Sequence, residues 1–420
     1  MQNMTHRILV ASLLAGLLAL TPALRAAGEG WSQWRGPARD GKSADTGLLK
    51  EWPAGGPALA WKATGLGDGH ASVSISGERI FTMGDKDGAS HVIALGLADG
   101  KILWSVKVGK MGAPGWGGHA GPRSTPTVDG DLVFAVDQWG EMICLEAASG
   151  KERWRQSFER NFGAPRPEWG FAESPIVDGG RVIVTPGGPK GAMVALDRST
   201  GAVIWRTKDF TDGAQYASAV IAGIGGVRQY IQITDASVAG IGAEDGKLLW
   251  RADRKGSTAV IPTPIQDGGF VYVTSGYGVG CNLFQVTAEG GVFKAEQVYA
   301  NKDMTNHHGG TVKVGDHVYG YSDGKGWVCQ EFKTGKTVWR EKEKLGKGSV
   351  SFADGLLYCR EEGGKGTVAL LEPSPSGYSE KGRFEQPDRS KRNSWPHPVI
   401  TGGMLYIRDQ DVLLCYKVKI

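Results

Sequence analysis

The sequence predicts an all-β fold, an eight-bladed β-propeller of four-stranded antiparallel blades whose last blade is closed by an N-terminal strand. Three observations lead to this prediction. A segment recurs at nearly constant spacing, a tryptophan recurs at one place within it, and glycine is abundant, with 65 residues among 420. Short β-rich units that repeat every roughly 40 to 50 residues are typical of propeller blades. Because 40% of the residues are hydrophobic, the glycines indicate turns rather than disorder.

The recurring unit consists of a short strand, a glycine turn and a second strand that ends in tryptophan. Five complete copies are "ALGLADGKILW" (94–104), "CLEAASGKERW" (144–154), "ALDRSTGAVIW" (195–205), "GIGAEDGKLLW" (240–250) and "CQEFKTGKTVW" (329–339). Two degenerate copies without the tryptophan are "FQVTAEGGVFK" (284–294) and "LEPSPSGYSEK" (371–381). Glycine adopts the positive φ of such a turn without steric cost. The tryptophan four residues later is large enough to pack between neighbouring blades.

The two ends of the repeat region predict how the ring closes. An eighth unit (397–420) contains three strands, and the strand that it lacks is present as "PALAWKA" (57–63). Trp61 in that segment lies 43 residues before Trp104, which matches the period of the repeat. A closed ring also removes the open sheet edges that promote aggregation. The prediction is therefore one propeller domain over residues 57–420, preceded by an arm (27–56) whose three tryptophans indicate packing on the propeller.

The first 26 residues are typical of an export signal. His6 and Arg7 precede an apolar run (8–20), and small residues follow at a cleavage site that is expected after Ala26. An uncleaved membrane anchor is the alternative, although the run is short for a membrane span. With the signal removed, we expect a periplasmic or secreted monomer without a transmembrane segment.

Cysteine usage and charge argue against several kinds of partner. The five cysteines lack C-x-x-C spacing and are odd in number, so neither a zinc site nor a complete disulfide framework is expected. Cys144, Cys329 and Cys415 share one repeat position where alanine also occurs, which predicts buried thiols that behave as small hydrophobic groups. The net charge of +4 and the lack of a basic run argue against nucleic acid as a partner.

The "A-L-D-x-x-T-G-x-x-x-W" unit resembles the repeat of pyrroloquinoline quinone (PQQ) propellers, which include quinoprotein alcohol dehydrogenases and the outer-membrane assembly lipoprotein. With "WSQWRGPARDG", "GYSDGKGWVCQ" and "LYIRDQDVLLCY", the chain is most similar to exported PQQ-binding-like proteins of bacteria. For the dehydrogenase branch, the resemblance implies PQQ and a calcium ion held by acidic and amide side chains, beside a catalytic aspartate. This chain is shorter than those enzymes, has no adjacent cysteines and contains no lipid-bearing N-terminal cysteine. No residue matches the calcium or catalytic positions, so PQQ and calcium stay open as cofactors without an assigned site.

The starts of the innermost strands predict a candidate binding site. In a propeller these strands line the central channel and begin at one mouth, so we aligned them on the turn glycines of the repeat. The alignment brings together His70, Arg123, Tyr216, His308 and Trp395, with Glu173 and His397 one step further along their strands. Connecting segments add Trp116, His119 and Trp169, and the turn in "YSDGKGWVCQ" adds Asp323 and Trp327.

Aromatic side chains with convergent arginine, glutamate and histidine are typical of a pocket for a polar small molecule such as a sugar, a polyol or a quinone. The alternative is that these side chains only hydrogen-bond to one another at a solvated mouth. No metal is assigned. His307 and His308 are adjacent in a segment expected to be extended, which would turn His307 towards a neighbouring surface and away from His308.

These residues leave three functional hypotheses. The favoured one is a binding or scaffold protein whose channel mouth holds a small molecule, a glycan or a protein partner. The first alternative is a quinoprotein-type oxidoreductase that acts on alcohols or sugars. The second is a glycan-cleaving, lyase-type enzyme, in which arginine, histidine and tyrosine would neutralise a uronate and transfer its proton.

Overall fold

The structure is a computed structural model that describes residues 30–115, 117 and 119–419. The predicted signal peptide (1–26) and Trp116 lie outside these residues. Across the described part of the chain nearly all regular structure is β-strand, and no helix there has the length and apolar character needed to span a bilayer.

The first half of the chain contains one arm strand, the closing strand of blade eight, and blades one to four. The arm and its continuation hold β1 (Lys42–Ser43) and β2 (Leu59–Ala63). Blade one contains β3 (Ser74–Ser76), β4 (Arg79–Lys86), β5 (Ala89–Gly96) and β6 (Ile102–Lys110). Blade two contains β7 (Thr127–Asp129), β8 (Leu132–Val136), β9 (Glu141–Glu146) and β10 (Glu152–Ser157), followed by α1 (Phe158–Phe162). Blade three contains β11 (Ile176–Asp178), β12 (Arg181–Val184), β13 (Val194–Asp197) and β14 (Val203–Arg206). Blade four contains β15 (Val220–Ile224), β16 (Val227–Ile233), β17 (Ser237–Gly242) and β18 (Leu248–Asp253).

The second half contains the remaining four blades. Blade five contains β19 (Ile265–Asp267), β20 (Phe270–Ser275), β21 (Gly280–Glu289) and β22 (Val292–Asn301). Blade six contains β23 (Thr311–Val314), β24 (His317–Ser322), β25 (Gly326–Glu331) and β26 (Thr337–Glu341). Blade seven contains β27 (Gly348–Ala353), β28 (Leu356–Glu361), β29 (Val368–Glu372) and β30 (Ser379–Phe384). Blade eight contains β31 (Val399–Thr401), β32 (Met404–Asp409) and β33 (Val412–Lys417).

The described strands form eight blades of four antiparallel strands, with β1 added in parallel beside β27 of blade seven, which confirms the predicted propeller. The closure prediction is also confirmed. Strand β2 pairs antiparallel with β33, giving the sheet order β2-β33-β32-β31, and Trp61 lies opposite Cys415. The N-terminal strand thus supplies the outer strand of blade eight.

The repeat tryptophans join one blade to the next, as the sequence predicted. A methyl group added at Gly201, in the turn of blade three, would lie 2.7 Å from the ring of Trp154 in blade two. The indole of Trp154 also donates to the backbone carbonyl of Arg198 at 3.0 Å, beside the same turn. Trp104 covers Gly150 in the same way, with 2.9 Å between the ring and an added methyl group. The repeat therefore needs glycine at this turn because its neighbour's tryptophan occupies the space of a side chain.

The cysteines behave as the repeat predicted. All five are buried and free, and Cys144, Cys329 and Cys415 have no exposed surface. Burial raises the pKa of the Cys144 thiol to about 12 and that of Cys415 to about 12. These thiols stay protonated and pack as small hydrophobic groups.

The arm (residues 30–56) crosses the floor of the channel and contacts blades on opposite sides of it. Its Trp31 carbonyl accepts from Ile75 in blade one, and Arg39 donates to the Ser174 carbonyl of blade three at 2.7 Å. Strand β1 then pairs in parallel with β27, the innermost strand of blade seven. Trp52 is 7% exposed and packs against Phe384 of blade seven. The arm is therefore part of the folded ring and closes one end of its channel.

Candidate functional site

A cavity of about 440 Å³ occupies the mouth of the channel at which the innermost strands begin. Side chains alternate along an extended chain, so in most blades the lining residues at the strand starts are two apart, while in blade five Pro262 also lines the cavity between Ile261 and Thr263. The first aligned position of the strand starts contributes one lining residue from each of seven blades: His70, Arg123, Ala172, Tyr216, Ile261, His308 and Trp395. Two residues further on, the same strands supply Ser174, Ser218, Thr263, Gly310 and His397.

Eight of the predicted site residues line this one cavity: His70, His119, Arg123, Trp169, Tyr216, His308, Trp395 and His397. Among the described residues, three predicted residues lie outside its lining: Glu173, Asp323 and Trp327. The alignment on turn glycines therefore identified most of the polar residues at this mouth. Each of the three exceptions has a local structural cause.

Glu173 lies between blades three and four because it is adjacent to a channel-facing residue, and adjacent residues alternate. It is 6% exposed and accepts hydrogen bonds from the Thr185 hydroxyl and the Gln232 amide, both at 3.0 Å. Desolvation raises the pKa of this carboxyl to about 7. Glu173 thus joins two blades below the cavity wall, contrary to the expectation that it faces the mouth.

Asp323 and Trp327 stand behind the cavity wall. Asp323 forms an ion pair with Lys347 at 2.8 Å, and Lys347, which does line the cavity, donates to Nδ1 of His307 at 2.7 Å. Trp327 is 2% exposed, and its indole donates to the Gly346 carbonyl at 3.1 Å. Asp323 therefore positions a lining residue, while Trp327 supports the turn that carries it.

His307 lines the cavity together with His308, which differs from the prediction that it faces another surface. The segment before β23 bends instead of running extended, so alternation does not apply, and the two rings lie 3.6 Å apart. Since Lys347 donates to Nδ1 of His307, Nε2 carries the proton and donates to the Tyr277 hydroxyl at 2.7 Å. Burial, together with the nearby Lys347 charge, lowers the pKa of His307 to about 4, so the ring is neutral.

A column of stacked rings forms one wall of the cavity. The ring of Trp395 lies between His70, at 4.1 Å, and His308, at 4.0 Å. His307 covers the other side of His308. Both faces of Trp395 are therefore occupied by imidazoles, and this wall presents ring edges rather than open faces. Burial lowers the pKa of His70 and of His308 well below the usual range, so both rings are neutral.

The floor of the cavity comes from the arm, which sequence reasoning did not place in the site. Trp34 donates to the Thr263 hydroxyl at 2.9 Å, and its ring lies 4.6 Å from that of His397. Arg35 is 3% exposed and donates to Nδ1 of His397 at 3.1 Å. His397 must then carry its proton on Nε2, which donates to the His308 carbonyl at 2.9 Å. Burial, together with the Arg35 charge, lowers the pKa of His397 to about 3.

The conformation of the arm gives this floor its shape. Arg35 has a φ of 62° and Arg39 a φ of 57°, in the left-handed region that residues with side chains seldom adopt. Such backbone strain persists where surrounding contacts hold it, and it is concentrated at functional sites. The "WRG" segment of the arm was the available sequence signal for these residues.

The cavity wall carries a cation, Arg123, that has no carboxylate partner among the described residues. Arg123 is held by the backbone carbonyls of Gly121, at 2.9 Å, and His119, at 2.6 Å. Among the described residues no carboxylate lies within ion-pair distance of Arg123. Desolvation lowers the pKa of Arg123 to about 10, so it remains a cation at neutral pH.

Among the described residues, the lining contains one carboxyl group, that of Glu362, which the alignment did not reveal because it follows the second strand of blade seven. Its Oε2 lies 3.8 Å from Nδ1 of His308, beyond hydrogen-bond distance, and the neutral ring forms no ion pair with it. Desolvation raises the pKa of Glu362 to about 7. This carboxyl is therefore close to half ionised at neutral pH.

The donor set around the cavity does not fit the calcium ion of a PQQ dehydrogenase. Calcium binds six to eight oxygen ligands, largely carboxylates and carbonyls. Here five of the chain's eight histidines line the cavity beside the single carboxyl of Glu362. Across the described residues no group of three or more histidine, cysteine or acidic side chains is arranged to hold a metal ion. We therefore derive no quinone chemistry from this site.

Comparison with known proteins places the chain among related propellers. Outer membrane protein assembly factor BamB from Alkalilimnicola ehrlichii is 25% identical over 213 residues, which cover 50% of each chain. Quinohemoprotein alcohol dehydrogenase ADH IIB from Pseudomonas putida is 30% identical over 175 residues, covering 39% of this chain and 23% of the enzyme. The matched region thus spans half or less of the length of these two relatives.

The structure of BamB from Moraxella catarrhalis superposes with a TM-score of 0.61 and 14% identity, covering 86% of this chain and 98% of that one, which shows a shared fold. A family model for PQQ-type repeats, described as outer membrane protein assembly factor BamB, matches residues 88–341, which is more than half of this chain. The repeat, the eight closed blades and this match agree, and the chain belongs to the BamB-like family of PQQ-repeat propellers.

Proposed function

We propose that this chain is an exported binding protein whose ligand site is the cavity at the channel mouth, working in the periplasm or outside the cell. The observation that carries the proposal is the cationic Arg123, which has no carboxylate at ion-pair distance among the described residues, beside neutral imidazoles. A buried or partly buried charge is normally paired, so an unpaired guanidinium in a cavity favours a ligand that completes it. The size of the cavity, about 440 Å³, is within the roughly 300–1,000 Å³ typical of small-molecule sites.

The competing explanation is that the side chains of the cavity wall only form hydrogen bonds with one another. This accounts for some of the histidines. His397 and His307 have hydrogen-bond partners for both ring nitrogens. By contrast, Nδ1 of His70 and the indole nitrogen of Trp395 are buried without a partner. This explanation leaves Arg123 unaccounted for, because its two carbonyl partners engage only two of its five N–H donors.

The test is ligand-induced thermal stabilisation with a panel of sugars, sugar acids, polyols and small organic acids. We compare the wild type, Arg123→Ala and the control Arg153→Ala. Arg153 is an exposed arginine that pairs with Glu146 on an outer strand, away from the cavity. We expect at least one compound to raise the Tm of the wild type and of the control but not that of Arg123→Ala. Equal shifts in all three proteins would remove the site from this cavity.

A protein partner is the second candidate, because one curated relative is named an outer membrane protein assembly factor. Outer strands of this propeller carry exposed apolar side chains, and Leu103 and Val203 are each 51% exposed. Lysine at these two positions should abolish cross-links to a partner in native envelopes and leave ligand-induced thermal shifts unchanged. Unchanged cross-links would argue against an interface on these strands.

A further inference from the structure

We propose that the ligand of this cavity is an acidic sugar with one carboxylate, which binds Arg123 while its hydroxyls contact the channel wall. This inference rests on the proposed function and adds the chemical class of the ligand to it. Charge, hydrogen-bonding character and shape each contribute one step of the argument.

The first step is the charge of the ligand. Two carbonyls, of Gly121 and His119, hold the two terminal nitrogens of Arg123 and so fix its orientation. A guanidinium has five N–H donors, so three remain for a ligand. A carboxylate is the group whose two oxygens match such a fork. The floor adds the buried cation Arg35, whose side chain donates to carbonyls and to His397.

The second step is that the ring wall mainly offers N–H groups. The indole nitrogen of Trp395 is buried, so the histidines supply the donors of this wall, and neutral His70 carries a proton on one of its two ring nitrogens. Nδ1 of His70 and Nδ1 of His308 are both buried without a partner. Protonation at Nε2 leaves only a lone pair buried at Nδ1, which is a smaller loss than a buried unpaired N–H group. Each ring then has its N–H at Nε2, and the cavity is rich in donors for an oxygen-bearing ligand.

The third step concerns shape. Both faces of Trp395 are covered by His70 and His308, so this wall cannot stack on a flat aromatic ligand. Deeper in the cavity the lining continues with the hydroxyls of Ser174, Ser218 and Thr263. Ring edges and hydroxyls suit a polyhydroxylated, saturated ring better than a planar aromatic acid.

The fourth step separates a carboxylate from a phosphate. A phosphate monoester carries up to two negative charges at neutral pH. Of the two guanidinium groups in the described lining, Arg35 is bound at both terminal nitrogens by the His397 ring and the Asp40 and Thr311 carbonyls, and the ammonium of Lys347 is paired with Asp323, which leaves Arg123 as the cation for the ligand. It also contains the carboxyl of Glu362, which would repel a second negative charge. One carboxylate matches one guanidinium.

The experiment is calorimetric titration of the full mature protein with sugars that differ in a single group. D-Galacturonate and D-glucuronate are each compared with the neutral parent sugar, with the methyl ester of the acid and with the phosphate monoester of the parent sugar. We expect the acid to bind at least tenfold more tightly than either neutral form. The variant Arg123→Gln should lose this preference, whereas the exposed control Arg153→Gln should keep it. The methyl ester tests the same contact without a protein variant, so the result does not depend on Arg123→Gln folding well.

Three results would overturn this inference. Equal affinity for acid and ester would show that the carboxylate is not recognised, and tighter binding of a sugar phosphate would reassign the anion. Absence of binding by every sugar acid would exclude the class. A different result would refute the proposed function itself. That result is a thermal-shift panel in which no compound stabilises the wild type more than Arg123→Ala.

Discussion

Alanine in place of Gly201 should weaken the contact between blades two and three by more than the same change at Gly179. Both glycines belong to turns of blade three and both have positive φ, 72° and 60° respectively. Both substitutions therefore incur the cost of a left-handed alanine, about 1–2 kcal/mol. Only at Gly201 does the new methyl group meet a neighbour, the ring of Trp154 at 2.7 Å, whereas nothing lies within 4 Å at Gly179.

The difference in stability between the two variants measures the cost of packing the new methyl group against Trp154. Trp154 is 8% exposed and its indole is tied to the Arg198 carbonyl, so the ring has little room to move. Overpacking of this kind typically costs about 1–3 kcal/mol. At about 2.1 cal/mol/K per residue, roughly 390 ordered residues unfold with about 0.8 kcal/mol/K, so the difference corresponds to a Tm about 1–4 °C lower for Gly201→Ala.

Thermal unfolding followed by circular dichroism and calorimetry measures both variants against the wild type. The same pair is then made in a Trp154→Leu background, where the methyl group at Gly201 no longer meets an indole. There the Tm difference between Gly201→Ala and Gly179→Ala should shrink towards zero, which is the coupling expected of residues in contact. Equal Tm values for the two single variants in the wild-type background would refute the role assigned to the tryptophan.

Three further predictions concern the arm and the site. Arg39→Met removes the donors to two backbone carbonyls of blade three and should lower the free energy of unfolding by about 1–3 kcal/mol. Urea titrations measure this change, and the exposed control Arg160→Met should leave the free energy of unfolding unchanged within error. His397 has a folded pKa of about 3 and an unfolded value near 6.5, so only the unfolded chain binds its proton between these values. The wild type should therefore lose stability relative to His397→Gln by up to about 1.4 kcal/mol per unit as pH falls below 6.5, and parallel pH curves would contradict this. Because the pKa of Glu362 is about 7, wild-type affinity for an acidic sugar should fall as pH rises from 6 to 8, and titrations of Glu362→Gln should show little change.

The repeat carried most of the information about the fold. Turn glycines and tryptophans recur because each tryptophan covers the turn of the next blade, so their spacing reports the blade count directly. Trp61, in register with the repeat, and the three-stranded last unit together predicted closure, since an unpaired copy of the repeat strand needs a blade to complete. Such contacts between neighbouring repeats are visible in sequence because they are made many times.

The site was predictable only where it follows the repeat. His70, Arg123, Tyr216 and His308 share one register position, and the structure places all four around one cavity. Glu173 is adjacent to that position and so faces the opposite side of the strand.

Trp34, Arg35 and Glu362 also line the cavity, but they belong to an arm and a turn outside the aligned strands. Non-repeated segments reach the channel by routes that the period of the blades does not specify. His307 differs for a related reason, since a bend before β23 replaces the extended backbone that the alignment assumed.

Pairing of β2 with β33 also determines the order in which this protein can be completed. Leu59 lies opposite Tyr416, so the closing contact joins segments from nearly opposite ends of the propeller sequence. During synthesis β2 emerges first and must wait, unpaired, until the last strand has been made. Contacts of such wide sequence separation form slowly, and an exposed strand edge is open to pairing with other chains in the meantime. Lys62 within β2 places a charge on that edge, a feature that discourages such pairing.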